Sequence, residues 1–339
     1  MKQPWIIPVF LCLTGATCIV GVSSCHNEPP EGDGLLGQVP YAVWTDSIRL
    51  YPENSLYYYQ RGKLFSDNND SVHAVRDLEK ALSIASEPDY AIVLSSFWLN
   101  HGQPDSARVV SLPLLQHFPG NQLLQRNMLM SYYNEGRYTE ALKVNAGALA
   151  YDSASSGNWY NRAMVLDALK DSTQALKCLE RALYLDPKNA TIAYELANRY
   201  ADAGNAEALA LCDQIIQEEE LTQKKPDPYT IKGIYYANVG KIDQAMDCFN
   251  QSIAVDYTFL EAYLEKGMLL FRQKHYPDAL KVFALSTTVD NTFADGYYWM
   301  ARCQQAQGQT AEARLNYERA IAFDKHFTEA REALAKLGK

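Results

Sequence analysis

A column of alanines recurs along most of the chain at nearly constant spacing, and it limits what the chain can fold into. Its members are separated by 33, 34, 34, 33, 37, 34 and 34 residues. They are Ala74, Ala107, Ala141, Ala175, Ala208, Ala245, Ala279 and Ala313. A helical hairpin of about 34 residues that stacks on copies of itself needs a side chain no larger than a methyl group where its two helices approach most closely. The column therefore predicts an array of helical hairpins.

Three further columns define the two helices and the turn of each hairpin. Small residues stand eleven or twelve positions before the alanine: Gly62, Ser95, Ala163, Ala197, Gly233, Gly267 and Ala301, with Leu129 as the exception. Bulky residues stand four positions after it: Leu78, Leu179, Phe249, Phe283 and Tyr317. Glycines near five positions before it are Gly102, Gly136, Gly204, Gly240 and Gly308. Spacings of three and four give one apolar stripe per helix, and the glycines suit a chain reversal between helices.

These columns resemble the tetratricopeptide repeat, and the resemblance covers residues 54–326. It implies an all-α, right-handed superhelical solenoid of about eight hairpins, with units starting near residues 54, 88, 122, 156, 189, 226, 260 and 294. Residues 41–53 are interpreted as a lone helix that forms an N-terminal half-repeat. Apolar positions in residues 327–339 predict a capping helix, which an array needs to cover its last apolar face.

Two departures from the repeat predict local irregularities. Pro113 falls inside the second helix of the second unit, where it should kink or shorten that helix at a cost of about 3 kcal/mol. The 37-residue step adds residues between the fifth and sixth units, and it includes Pro226. This step predicts a bend or hinge there.

The first residues are typical of a targeting segment. Lys2 precedes a largely apolar stretch that ends in the sequence Val-Ser-Ser-Cys, with Cys25 last. This ending resembles a bacterial lipobox, which implies a signal peptide over residues 1–24 and lipid attached to Cys25. Simple secretion and a retained membrane anchor are the alternatives. Residues 25–40 are interpreted as a flexible tether. Enteric lipoproteins retained in the inner membrane tend to carry Asp where this chain has His26, so the resemblance implies the outer membrane of a Gram-negative envelope, on its periplasmic face or at the cell surface.

Composition and motifs argue against several classes of function. A net charge of −9 disfavours nucleic acid as a partner, since a polyanion would be repelled. The sequence has no phosphate-binding loop, no zinc-binding HExxH and no nucleophile elbow, so we expect no cofactor, no metal and no catalysis. The widely spaced Cys178, Cys212, Cys248 and Cys303 predict buried free thiols.

The dipeptide Asp-Ser occurs five times before Thr or a small or aliphatic residue, and it has two interpretations. These sequences resemble O-glycosylation sites of some Gram-negative secreted proteins, and they also suit helix capping. They begin at Asp46, Asp70, Asp105, Asp152 and Asp171.

The remaining candidate site is the inner groove that the repeat implies, built from first-helix residues off the packing stripe. Aromatic, Met, Asn and Arg side chains suit such a contact surface, and we expect them to be exposed. They are Tyr59, Lys63, Asn100, Arg126, Met130, Tyr133, Asn134, Tyr160, Met164, Tyr194, Asn198, Asn238, Met268, Phe271, Arg272, Tyr298 and Arg302. The sequence thus predicts a non-catalytic, membrane-anchored scaffold that binds envelope proteins or peptides. The alternative is a lipoprotein that binds glycans through the groove tyrosines.

Overall fold

The computed structural model describes residues 34–219 and 224–337. The predictions for the signal peptide, for Cys25 and for most of the tether lie outside these residues. A short 3-10 helix, Leu35–Gly37, precedes eighteen α-helices, and the described ranges contain no strand. The helices are α1 Tyr41–Leu50, α2 Ser55–Asp67, α3 Ser71–Ile84, α4 Pro88–Asn100, α5 Pro104–His117, α6 Gln122–Asn134, α7 Tyr138–Tyr151, α8 Ser156–Ala168, α9 Ser172–Leu185, α10 Ala190–Asp202, α11 Glu207–Glu219, α12 Asp227–Asn238, α13 Ile242–Val255, α14 Leu260–Arg272, α15 Tyr276–Val289, α16 Ala294–Ala306, α17 Thr310–Phe323 and α18 Thr328–Leu337.

Eight successive helix pairs, α2/α3 through α16/α17, follow the lone helix α1 and precede α18. This order confirms the predicted all-α fold class of stacked hairpins. The described residues divide into two compact units between Val93 and Leu94, inside α4. Within the second unit the first helices of successive pairs contact each other, α10 with α12, α12 with α14 and α14 with α16.

Every alanine of the repeated column is completely buried, with no exposed surface. The residue of the first helix in the small-residue column and the residue four after the alanine are buried as well. Glycine stands opposite Phe or Leu in the repeat, alanine opposite Leu, Cys or Tyr, Ser95 opposite Ser111, and Leu129 opposite Asn145. The pairs are Gly62 with Leu78, Ser95 with Ser111, Leu129 with Asn145, Ala163 with Leu179, Ala197 with Cys212, Gly233 with Phe249, Gly267 with Phe283 and Ala301 with Tyr317. In five of the eight pairs a large side chain of the second helix thus stands opposite Gly or Ala of the first. The pairs of Ser95 with Ser111 and of Ala197 with Cys212 are small on both helices.

We expect Gly267→Ala to destabilise the protein, because a Cβ at this position would lie 2.4 Å from Cε1 of Phe283. Overpacking of this kind costs about 1–3 kcal/mol, measurable by urea unfolding. In a Phe283→Leu background, which reproduces the Ala163 and Leu179 pair, the same glycine substitution should be neutral or stabilising.

Gly147→Ala is the matched control, since Gly147 is an exposed glycine of α7 with open space where a Cβ would stand. It should stabilise the protein by up to about 1 kcal/mol through helix propensity. Equal effects of the two glycine substitutions would contradict the complementary filling of the crossings.

The turn inside each helix pair contains one residue with a left-handed backbone. Five of these residues are the predicted glycines, with φ between 64° and 78°. The other three are Asn69, Lys170 and Lys274, with φ of 58°, 65° and 62°. Glycine adopts this conformation freely, whereas a residue with a Cβ is strained there by about 1–2 kcal/mol. The turn geometry is thus kept in all eight pairs even where the residue type is unfavourable.

The fifth pair is one residue short in its turn. The amide of Ala208 donates to the carbonyl of Asn205, three residues back, at 3.2 Å, whereas the other seven column alanines donate to the carbonyl four residues back. Ala197 is consequently eleven rather than twelve residues before its column alanine. Helices α10 and α11 both contact α12 on the other side of the 37-residue step. The bend between the fifth and sixth units stays a prediction.

Pro113 does not shorten α5, so that part of the prediction is wrong. The helix has 14 residues, as do α3 and α7. Its buried face, Ala107, Ser111 and Leu114, continues past the proline. Burial of this stripe offsets the hydrogen bond that proline cannot donate. A kink at Pro113 stays a prediction.

A buried ion pair holds the first unit together. Arg61 and Asp77 are each about 1% exposed, and the guanidinium donates to both carboxylate oxygens, from Nε to Oδ2 at 2.6 Å and from Nη2 to Oδ1 at 3.0 Å. Nη1 donates to Thr45 Oγ1 at 2.9 Å, which links α1 to the α2/α3 pair. The corresponding residues 33 positions later are Leu94 and Val110.

We expect Arg61→Leu to cost about 3–5 kcal/mol in urea unfolding, because it leaves the Asp77 charge buried without its partner. Adding Asp77→Val removes that charge and should restore most of the loss, since Leu and Val stand at the matching positions of the next pair. A double variant less stable than Arg61→Leu would show that the ion pair has no apolar substitute.

The four cysteines are free and buried, as predicted. Burial is the main cause that raises the pKa of both Cys212 and Cys303 to about 12. Two of the Asp-Ser sequences cap helices, since Asp70 accepts from the amide of His73 and Asp171 from the amide of Gln174. Glycosylation of these sequences stays a prediction.

Candidate functional site

Three of the predicted groove residues come together on the first helices of the third and fourth pairs. Tyr160 and Met164 lie one turn apart on α8, and Tyr133 is on α6. They line a cleft of about 310 Å³, which we call the Tyr160 cleft. Its lining residues are Tyr133, Tyr160, Ala163, Met164, Asp167, Leu179, Glu195 and Arg199.

An ion trio forms the polar part of the Tyr160 cleft. Arg199 of α10 donates from Nη1 to Asp167 Oδ1 at 2.8 Å and from Nη2 to Glu195 Oε1 at 2.7 Å, and it also pairs with Asp167 Oδ2. These hydrogen bonds, first of all to Asp167, raise the pKa of Arg199, which stays charged. Burial, and then the charge of Glu195, raise the pKa of the Tyr160 hydroxyl. The cleft thus combines aromatic walls with two carboxylates that can still accept hydrogen bonds.

A second cleft lies between α14, α16 and α18, and we call it the Arg302 cleft. Arg302 stacks on three rings, with its guanidinium carbon 5.5 Å from the ring centres of Phe271 and Trp299 and 5.7 Å from that of Tyr298. Its Nη1 donates to the Tyr298 hydroxyl at 2.9 Å. The volume is about 450 Å³. The lining residues are Phe271, Tyr298, Arg302, Gln305, Ala306, Glu329, Glu332, Ala333 and Lys336.

The other predicted groove residues differ in how much surface they offer. Exposed side chains are those of Lys63, Asn100, Arg126, Asn134, Asn198, Asn238 and Arg272. Partly exposed side chains are those of Tyr59, Met130, Tyr194 and Met268. Asn238 is used in packing, because its Nδ2 donates to the carbonyl of Ala201 at 3.1 Å. Tyr59 belongs to the first unit, where its ring stacks on Tyr90 at 4.7 Å.

Tyr298 does not have the exposure expected of it. Only 9% of the residue is exposed, and its ring packs against Phe327 at 4.9 Å and Tyr317 at 5.8 Å. Phe327 comes directly before α18, so the C-terminal helix and its first turn cover the ring. Tyr298 therefore acts as a wall of the Arg302 cleft rather than as an open platform.

Carboxylates give the face of α14 a charge that depends on pH near neutrality. Burial raises the pKa of Glu265 to about 7, with further contributions from Glu261 and Asp202, while Arg272 opposes the shift. Like charges disfavour ionisation of a buried acid. Glu265 thus loses its proton as the pH rises through about 7. In the part of the chain that the structure describes, no group of three His, Cys, Asp or Glu side chains is placed to hold a metal ion.

Comparison with family models shows that the chain contains tetratricopeptide repeats. Tetratricopeptide-repeat models match residues 56–88, 159–189, 232–288 and 295–324. These windows fall on the first, fourth, sixth and seventh, and eighth helix pairs.

Similarity to solved structures supports the same fold. A tetratricopeptide repeat protein from Parabacteroides merdae matches 74% of this chain and 98% of its own, with a TM-score of 0.61 and 20% identity. PilW, a type IV pilus biogenesis factor, matches 63% of this chain and 99% of its own, with a TM-score of 0.51 and 21% identity. At these identities the likeness shows the fold alone.

Curated relatives share only part of their length with this chain. Human Superkiller complex protein 3 is 21% identical over 85% of this chain and 21% of its own length. The SGT1 homolog of Bos taurus is 28% identical over 33% of this chain and 36% of its own length. The chain thus spans about a fifth to about a third of the length of these relatives.

Proposed function

We propose that this chain is a non-catalytic scaffold that binds a segment of a partner protein at the Tyr160 cleft. Tetratricopeptide repeat proteins generally mediate protein-protein interactions, and this fold carries its contacts on an extended surface. The observation that supports the site is the convergence of Tyr133, Tyr160 and Met164 around the ion trio of Arg199. Aromatic and Met side chains supply adaptable contact area, while Asp167 and Glu195 can accept backbone amides of a bound segment.

The tyrosines of this surface favour a peptide over a sugar. Tyr298 is nearly buried, and the ammonium group of Lys225 lies 5.5 Å from the ring centre of Tyr194. A sugar ring stacks on an open aromatic face; Tyr298 offers none, and Lys225 covers one face of the partly exposed Tyr194 ring. We therefore propose protein binding, and loss of envelope-polysaccharide binding in Tyr194→Ala would instead support a glycan.

Tyr160→Ala should weaken binding of the partner by about 1–3 kcal/mol, or roughly 5- to 150-fold in Kd. The partner is first identified by placing a photo-crosslinking amino acid at Met164 of the full chain in intact cells. Its affinity for the purified protein is then measured by calorimetry.

Tyr257→Ala is the control, because it removes the same side chain at a position that is 70% exposed and outside the cleft. It should leave the affinity unchanged. If both variants bind the partner as the original protein does, the Tyr160 cleft is not the site.

We also propose that a lipid on Cys25 attaches the scaffold to a membrane of the bacterial envelope. The support is the resemblance of residues 22–25 to a lipobox. No described helix is long and apolar enough to cross a membrane. Several acyl chains on one residue give stable anchoring, since each buried methylene contributes about 0.8 kcal/mol.

Cys25→Ala should abolish incorporation of labelled palmitate and shift the protein from the membrane fraction to the supernatant. Cys18→Ala is the control within the same segment, and it should change neither result. A Cys25→Ala protein that still incorporates palmitate would rule out this lipidation site.

A further inference from the structure

A third cleft lies between the second helices of the fourth and fifth pairs, α9 and α11, with α10 at its base. We call it the Tyr200 cleft, and its volume is about 550 Å³. Leu183, Tyr184, Leu196, Ala210 and Leu211 give it a mainly apolar lining. The remaining lining residues are Glu180, Pro187, Tyr200, Glu207 and Gln214.

The Tyr200 cleft opens on a different side of α10 from the predicted groove. Successive residues of an α-helix are about 100° apart, so Asn198 lies within about 40° of Tyr194 around the helix axis. Leu196 and Tyr200 lie about 120° to 160° from both of them. The cleft and the groove face are therefore separate surfaces.

Tyr184 makes this surface distinctive. It is 74% exposed, with the guanidinium of Arg181 held 5.1 Å from its ring centre. The position nine after the column alanine holds Ser, Gln, Ala or Thr in the other pairs. A large exposed aromatic side chain beside an apolar cleft is typical of protein contact surfaces.

Two carboxylates on opposite walls converge on one hydroxyl in the cleft. Tyr200 is 7% exposed, and its hydroxyl donates to Glu180 Oε1 at 2.9 Å. After burial, the main causes that raise the pKa of Tyr200 are Glu180 and then Glu207. A phenol has one proton, so it can donate to only one of the two acids. None of the ion pairs within the described ranges involves Glu180 or Glu207, and the nearby guanidinium of Arg181 lies over the ring of Tyr184 instead. The lining therefore offers two carboxylates to a cation.

We propose that the Tyr200 cleft binds a lysine or arginine side chain presented by a segment of a partner protein. The aliphatic stem of such a side chain packs on the leucines of the walls, and its charged end reaches Glu180 and Glu207. The next apolar residue of the segment packs against Tyr184. An acidic segment is repelled, and so is a second copy of this chain, because its net charge is −9.

The test uses a displayed library of random short peptides. Peptides that bind the Glu180→Gln/Glu207→Gln variant are first removed, and the remaining peptides are then selected for binding to the purified original protein. Both substitutions keep the shape of the side chain and remove its charge. The enriched peptides should carry Lys or Arg beside a large apolar residue. Their binding, measured by fluorescence anisotropy, should weaken at least tenfold in the double variant and fall with rising salt concentration.

Two controls separate this surface from the groove and from general electrostatics. Tyr160→Ala, in the proposed partner site, and Glu318→Gln, at an exposed position of α17, should leave the peptide affinity unchanged. Circular dichroism establishes that each variant is folded. A photo-crosslinking amino acid at position 184 should capture the peptide, and one at position 194 should not.

Three results would overturn the proposal. These are enrichment of peptides without basic residues, equal binding to the double variant, and crosslinking at position 194 in place of 184. Concentration-dependent dimerisation that Tyr184→Ala abolishes would assign the cleft to a second copy of the chain instead. None of these results bears on the Tyr160 cleft, because that site is tested by the affinity of its own crosslinked partner.

Discussion

Close contact between a small residue of the first helix and a larger residue of the second sets the geometry of each helix pair. The column alanine provides the point of closest approach, and the two residues beside it share one volume, as Gly267 and Phe283 do. Packing at crystal-like density leaves no room for two large residues at such a crossing. Where glycine stands in the first helix, the large side chain of the second occupies the space that a Cβ would take, as Leu78, Phe249 and Phe283 do.

The sequence predicted the pairs well because each one repeats the same physical requirement. The way in which the chain accommodates departures from the repeat became clear only in the structure. Leu129 breaks the column of small residues, yet it is buried and packs against Ala141 and Val165. Lys170 and Lys274 adopt the left-handed backbone conformation that glycine adopts in other pairs, and residue preferences do not predict lysine at such a position. The ion pair of Arg61 was missed for a similar reason, since nothing in one sequence shows which charged residues are buried.

The candidate sites were predicted in part. Helical spacing placed Tyr160 and Met164 on one face, and both line the Tyr160 cleft. Their role in binding stays a prediction. The ion trio was missed, although Glu195 and Arg199 stand at the spacing of one helical turn and could have been recognised as a pair. For Tyr298 the prediction of an exposed side chain was wrong. Its spacing indicated an open face, but contact with the C-terminal cap depends on the path of the chain after the last repeat.

The buried thiols lie in different parts of the array, with Cys178 in the fourth pair, Cys212 in the fifth, Cys248 in the sixth and Cys303 in the eighth. A thiol needs both exposure and ionisation to react, and burial suppresses both. Alkylation at each cysteine therefore requires its own pair to open. Repeat arrays can open locally because each unit contacts only its neighbours. The native chain thus carries four internal reporters, and their separate reaction rates would show where along the array unfolding begins.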